Sequence, residues 1–148
     1  MEIKVIRHNK KEFLDLLLLA DEQETMIDRY LDRGEMFALF YQGKAVCVCV
    51  VTEEGKGVYE IKNLATRPEH QRKGFGRQMI QFVLDHYKKD GTILLVGTGD
   101  SPLTIPFYER CGFSISHRVK DFFVENYDHP IYEDGVLLRD MVYLKRGF

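Results

Sequence analysis

Neither sign of charge dominates this chain. Its 21 lysines and arginines face 23 aspartates and glutamates, a formal net charge of −2. So near a balance gives no global pull toward nucleic acid or an anionic membrane surface. Long apolar runs are missing as well. Leu16 to Leu19 is the densest, far too short to span a bilayer. Cysteine is scarce: three residues, an odd number, none in a Cys-x-x-Cys pair. With no signal peptide in view, that usage suggests a reducing, cytoplasmic setting rather than a disulfide scaffold. Cys47 and Cys49 stand two apart on an apparent strand, so they share a face as small core residues. No spacing of His, Cys, Asp and Glu suggests a metal site. Repeats and low-complexity tracts are absent.

What is present is ample apolar material: 148 residues, 45% hydrophobic, enough for one domain over residues 1–148 with its own core. Alternation around Ile3 and Val5 reads as a first strand. Two helical stripes follow, Phe13-Leu14-Leu17-Leu18 and Met26-Ile27-Tyr30-Leu31, the second stopping near Gly34. Met36 to Tyr41 and Ala45 to Val51 flank the hairpin signal Gln42-Gly43, and Glu53 to Gly57 turns the chain into a third strand, Val58 to Ala65. Met79, Ile80, Val83, Leu84 and Tyr87 mark one face of a helix closing near Asp90-Gly91. Ile93 to Val96 is continuously apolar, as in a strand covered on both faces. A helix from about Leu103 to Cys111, a strand from Phe113 to His117 and a last strand at 138–145 complete the order β-α-α-β-β-β-α-β-α-β-β. An α/β domain with a mixed sheet of six to seven strands and helices on both faces is expected.

The most informative segment is Gln71-Arg72-Lys73-Gly74-Phe75-Gly76, between a strand and a helix. Its two glycines bare the backbone, so several N–H groups can converge on phosphate oxygens. The helix dipole and Arg67, Arg72, Lys73 and Arg77 favour an anion there. A P-loop is excluded, because no Gly-x-x-x-x-Gly-Lys-Ser/Thr occurs. A Rossmann fingerprint beginning at Gly74 would put its third glycine on Met79, and Val96-Gly97-Thr98 stands where the ribose-binding acid belongs.

The segment around this loop, with Phe107-Tyr108-Glu109-Arg110-Cys111-Gly112-Phe113 about thirty residues later, resembles the GNAT superfamily, the Gcn5-related N-acetyltransferases. Gln71, Gly74 and Gly76 match its Arg/Gln-x-x-Gly-x-Gly/Ala signature. Phe107, Tyr108, Gly112 and Phe113 match its Phe-Tyr-x-x-x-Gly-Phe block. The resemblance covers residues 1 to 118 and fits a final strand. It implies a mostly antiparallel sheet whose fourth and fifth strands splay apart, with the pantetheine arm of acetyl-CoA (coenzyme A) in the gap. It further implies that Gln71, Arg72, Lys73, Gly74, Phe75, Gly76 and Arg77 hold the pyrophosphate through the backbone. The main chain of Leu64, Ala65 and Thr66 would pair with the pantetheine, and Phe107 and Ser101 would flank the cofactor. From its own position, Ser101 heads a helix after Gly99-Asp100, where its hydroxyl would cap N–H groups.

Tyr108 is then the candidate general acid for the leaving thiolate. Glu60, on the strand leading to the loop, is the candidate base, with a chain of waters the alternative. Residues 119–135 interleave five acids with aromatics, which suits a cationic amine through ion pairing and cation–π contact. Phe123, Tyr127 and Glu133 are the candidate substrate contacts. The expected reaction is acetyl transfer to a primary amine of a small cationic molecule. A protein lysine or N-terminus and a non-catalytic acyl-CoA sensor are the alternatives. Homodimers are common in the superfamily, and 143–148 or an edge strand would serve.

Overall fold

The computed structural model describes residues 1–148. Its first half is an antiparallel meander of β1 (Glu2–Ile6), β2 (Glu35–Tyr41), β3 (Lys44–Gly55) and β4 (Val58–Thr66). Gln42 and Gly43 both take positive φ, 53° and 78°, at the β2–β3 turn. That geometry matches the right-handed twist of the strands it joins. Both faces of the meander are covered, which explains the nearly unbroken apolar run of β2. Met36 and Ala38 pack beneath α1 (Leu14–Ala20) and α2 (Glu24–Ile27), while Phe37 and Leu39 pack beneath α3 (Phe75–Tyr87). Cys47 and Cys49 lie together on the α3 side, buried and free.

The second half adds β5 (Ile93–Gly99), α4 (Thr104–Arg110), β6 (Ser114–Val119) and β9 (Met141–Gly147). β5 runs parallel to β4, and β9 inserts between β5 and β6, so the sheet order is β1-β2-β3-β4-β5-β9-β6. The seven-stranded mixed sheet with helices on both faces is the architecture expected from the sequence.

The site is positioned by the end of one ladder. The β4–β5 pairing stops at Ile61↔Val96. Past that point β4 stays on β3 as far as Thr66, and β5 stays on β9 as far as Gly99. The two central strands therefore part over Lys62–Thr66 and Gly97–Gly99, leaving a wedge between them.

Two expectations need correction. The last strand begins at Met141 rather than 138, because residues 138–140 bind the preceding segment instead of the sheet. Arg139 O accepts from Phe123 N (2.9 Å), the Arg139 guanidinium reaches Asp121 (3.2 Å), and Asp140 accepts from Asp121 N (2.9 Å). Residues 119–135 are also more ordered than a plain link. They hold a helix α5 (Phe122–Asn126) and a strand β7 (Tyr132–Glu133), which pairs with β8 (Val136–Leu137). Phe123, Ile131 and Leu138 give this flap a small apolar core.

Candidate active site

The glycine segment turns from β4 into α3 through two left-handed residues, Arg72 (φ 63°) and Gly74 (φ 87°). A Cβ on Gly74 would meet nothing within 4 Å, so glycine is required there by conformation, not by space. A Cβ on Gly76 would stand 3.2 Å from Phe107 Cζ, so the second glycine admits the Phe107 ring against the loop. No side chain caps α3 and its first turn carries no acid, which leaves its N–H groups unpaired at the groove, with Arg77 beside them donating to the Arg110 carbonyl at 3.0 Å. A helix N-terminus of this kind is complementary to a phosphate.

From the loop a groove of about 530 Å³ runs past Gln71, Arg72, Gly74–Arg77 and Phe107 to Tyr108. The wedge between β4 and β5 opens into a second cavity of about 580 Å³. Leu64, Thr66, Gln71, Leu103, Thr104 and Tyr108 line both. Beyond Ile61, β4 has no strand on its β5 side; the Thr66 carbonyl accepts from Gln71 Nε2 at 3.1 Å, and the rest of the Leu64–Thr66 edge is open to an extended arm laid in the gap. The residues fit a cofactor with a pyrophosphate at one end and a strand-like chain at the other.

Tyr108 stands at the junction. It is 8% exposed, its ring packs edge-on against Phe107 and Phe113, and burial holds its phenol well above the ordinary value. The hydroxyl thus stays protonated, as a donor must.

The second cavity is acidic and aromatic. Asp21, Glu22, Glu133 and Asp134 line it against a single cation, Lys62, and the flap covers it with Phe123, Tyr127 and Tyr132. Burial raises the carboxyl pKa of both Asp21 and Glu133. Phe123, Tyr127 and Glu133 are therefore brought to the cavity, as expected. Asp21 and Glu22 are not recognisable as site residues in the sequence. Their only signal is an abrupt change from the leucine run to Asp21-Glu22-Gln23-Glu24, which looks like an ordinary helix end.

Other candidates lie elsewhere. Glu60 is 6% exposed, sits on β4 before the strands part, and pairs with Lys62 at 2.9 Å. It lines neither cavity. Ser101 is buried and accepts from Leu103 N at 3.1 Å, a turn cap away from the groove. Arg67 is committed to the Ala45 carbonyl (2.8 Å) and Asp15 (3.0 Å), so it fastens the end of β4 instead of facing an anion. Lys73 is exposed and outside the groove lining; Ala65 lines the acceptor side only.

Known proteins share this arrangement. A family model described as the acetyltransferase (GNAT) family matches residues 5–113. The uncharacterized N-acetyltransferase YvbK of Bacillus subtilis is 36% identical over 146 residues, spanning 97% of this chain and 94% of its own length. A GNAT family acetyltransferase from Elizabethkingia anophelis, solved with acetyl-CoA bound, superposes with a TM-score of 0.94 at 32% identity, over 99% of this chain and 97% of the other. A Bacillus subtilis acetyltransferase in complex with CoA gives 0.91 at 34% identity, over 99% and 98%.

Proposed function

The chain belongs to the GNAT acetyltransferase family, and from that premise we propose that it acetylates a primary amine of a small cationic molecule. The observation carrying this reading is the meeting of two cavities at Tyr108, one ending in a bare helix N-terminus and the other lined by carboxylates and roofed by aromatics. As an acetyl-CoA-dependent N-acetyltransferase, it receives its acetyl group activated as a thioester.

The chain's own residues divide the work. Backbone N–H groups of Gln71–Gly76 bind the pyrophosphate, and Arg72 and Arg77 add charge. The free edge of Leu64–Thr66 orients the pantetheine arm, with one N–H directed at the thioester oxygen, where negative charge builds. Asp21, Glu22, Glu133 and Asp134 draw a cationic amine into the cavity, and the aromatic roof limits its size. The ammonium proton leaves to solvent. Glu60 is paired with Lys62 and lines neither cavity, so no step is assigned to it. As the C–N bond forms and the C–S bond breaks, Tyr108 donates its proton to the departing sulfur, whose thiol has a pKa near 8.5, and the second proton shed by the nitrogen returns through solvent to the Tyr108 oxygen.

The test is thiol release from acetyl-CoA against polyamines, aminoglycosides, amino acids and lysine peptides, with wild type and Tyr108→Phe in parallel. Turnover on small cationic amines is expected, reduced by ~10²–10⁴ in the variant. Turnover confined to peptides would transfer the reading to a protein acceptor. Tight CoA binding without turnover on any amine would leave a sensor.

A further inference from the structure

Asn63 lines the acceptor cavity and is 3% exposed. Its side-chain Nδ2 donates to the Leu17 carbonyl at 3.0 Å and to the Tyr30 hydroxyl at 3.1 Å. A backbone carbonyl can only accept, so the amide cannot be turned the other way round. The Oδ1 is then left buried with no partner. An unpaired buried acceptor costs about 1–3 kcal/mol, so a native structure that keeps one calls for an explanation.

The rest of the chain of bonds runs one way. Tyr30, having accepted from Asn63, donates to Asp21 Oδ2 at 3.0 Å. Tyr127, reaching over from the flap, donates to Asp21 Oδ1 at 2.7 Å. No lysine or arginine forms an ion pair with Asp21, although its side chain is mostly buried. The donors of Asn63, Tyr30 and Tyr127 are all engaged, and what remains among these groups is acceptor capacity: the Asn63 Oδ1 and the remaining lone pairs of the Asp21 carboxylate. The missing group is a donor, and opposite a carboxylate in a low-dielectric cavity the donor that gains most is a cation. Neighbouring lining residues Leu19, Ala65, Phe123, Ile131 and Leu138 are apolar, which favours methylene groups over a hydroxylated skeleton.

We propose that Asp21 and Asn63 form a second ammonium subsite, so that the preferred acceptor is an aliphatic diamine or longer polyamine with one nitrogen presented at Tyr108 and another held at this end. The proposal rests on the acetyl-transfer reading given above and narrows its substrate class. It makes Asp21 and Asn63 specificity determinants. Tyr30 and Tyr127 act as positioning residues, with Tyr127 tying the flap to the subsite.

The experiment compares kcat/KM for α,ω-diamines of graded length with that for n-alkylamines of matching length, using acetyl-CoA as donor. Wild type is expected to prefer the best diamine over its matched monoamine by about tenfold or more, the worth of a charged hydrogen-bonded contact. Asp21→Asn is expected to bring that ratio close to one, chiefly through the KM of the diamine. Equal use of diamines and monoamines by wild type would overturn the subsite, as would an Asp21→Asn enzyme that keeps the preference. The wild-type ratio decides without any variant, should Asp21→Asn fail to fold. Absence of turnover on every amine would instead strike the acetyl-transfer reading itself.

Discussion

Asp21 is where recognition and stability pull in opposite directions. Burial raises its pKa, and the hydrogen bonds from Tyr127 and Tyr30 only partly offset the lost hydration. The folded chain therefore binds this proton more readily than the unfolded chain, whose aspartates titrate near pH 3.9. An acid raised in this way contributes stability that is fully present below about pH 3.9 and is lost as pH rises through its folded value. The free energy of urea unfolding, measured for wild type and Asp21→Asn from pH 4 to pH 7, should show the effect. The difference, wild type minus variant, is expected to fall as pH rises through the folded pKa and then level off. Glu60 and Glu133 are raised too, but both remain in the variant and cancel from the difference. A pH-independent difference would mean that burial does not perturb Asp21. The same carboxylate, once ionised and with no ion-pair partner, would attract a cationic ligand, which is a physical reason for a binding residue to be retained at a cost to the fold.

Elements with strong periodicity are legible in the amino-acid pattern alone. The stripe Met79-Ile80-Val83-Leu84-Tyr87 is the buried face of α3, and the chain does reverse at Gln42-Gly43, because a hydrophobic face or a positive-φ turn leaves a local mark on sequence. The cofactor side of the site is legible for the same reason: its chemistry is backbone and glycine. The acceptor side is less so. Glu60 lies on the right strand but before the strands part, and no local pattern records where a ladder ends. Asp21 reaches the cavity through bonds to Tyr30 and to Tyr127, 106 residues away. The flap from α5 to β8 is as rich in apolar residues as the rest of the chain, but its elements, a five-residue helix and two two-residue strands, are too short for a period to show. Its core is three side chains, and further ties to the body are Asp128 N to Gln23 at 3.0 Å and Arg29 to Asn126 at 3.3 Å. Few buried contacts imply low local stability, so amides of residues 122–137 are expected to exchange faster than those of β3 and β4. Phe123→Ala should speed exchange in that segment and raise KM for the amine, leaving the protection of β3 unchanged. Protection of the flap equal to that of β3 in wild type would show that it is part of the global folding unit and no separate cover.

At the scale of the whole molecule, the sheet separates two tasks. On one side α1 and α2 close a core that holds Asn63 and Tyr30 against the acceptor end, and on the other α3 and α4 close the larger core beneath the cofactor groove. The split between β4 and β5 is the passage between them, and β2, β3 and β4 contribute side chains to both cores. A ligand seated there contacts the native arrangement and has no counterpart in the unfolded chain, so it stabilises the whole cooperative unit by mass action. At a CoA concentration of 100 times Kd the gain is about 2.7 kcal/mol, which for a domain of this size corresponds to a rise in Tm of about 5–10 °C. Gly76→Ala separates binding from folding. The added methyl meets the Phe107 ring, a side chain at the groove and not a core residue, so Tm without ligand is expected to fall by only a few degrees. The ring must move into the path of the cofactor, so at equal CoA concentration most of the ligand-induced rise should vanish. Scanning calorimetry of both proteins, with and without CoA, reads the two effects separately. An undiminished rise in Gly76→Ala would mean that the cofactor does not pass between the glycine loop and Phe107, and that the groove to Tyr108 begins elsewhere.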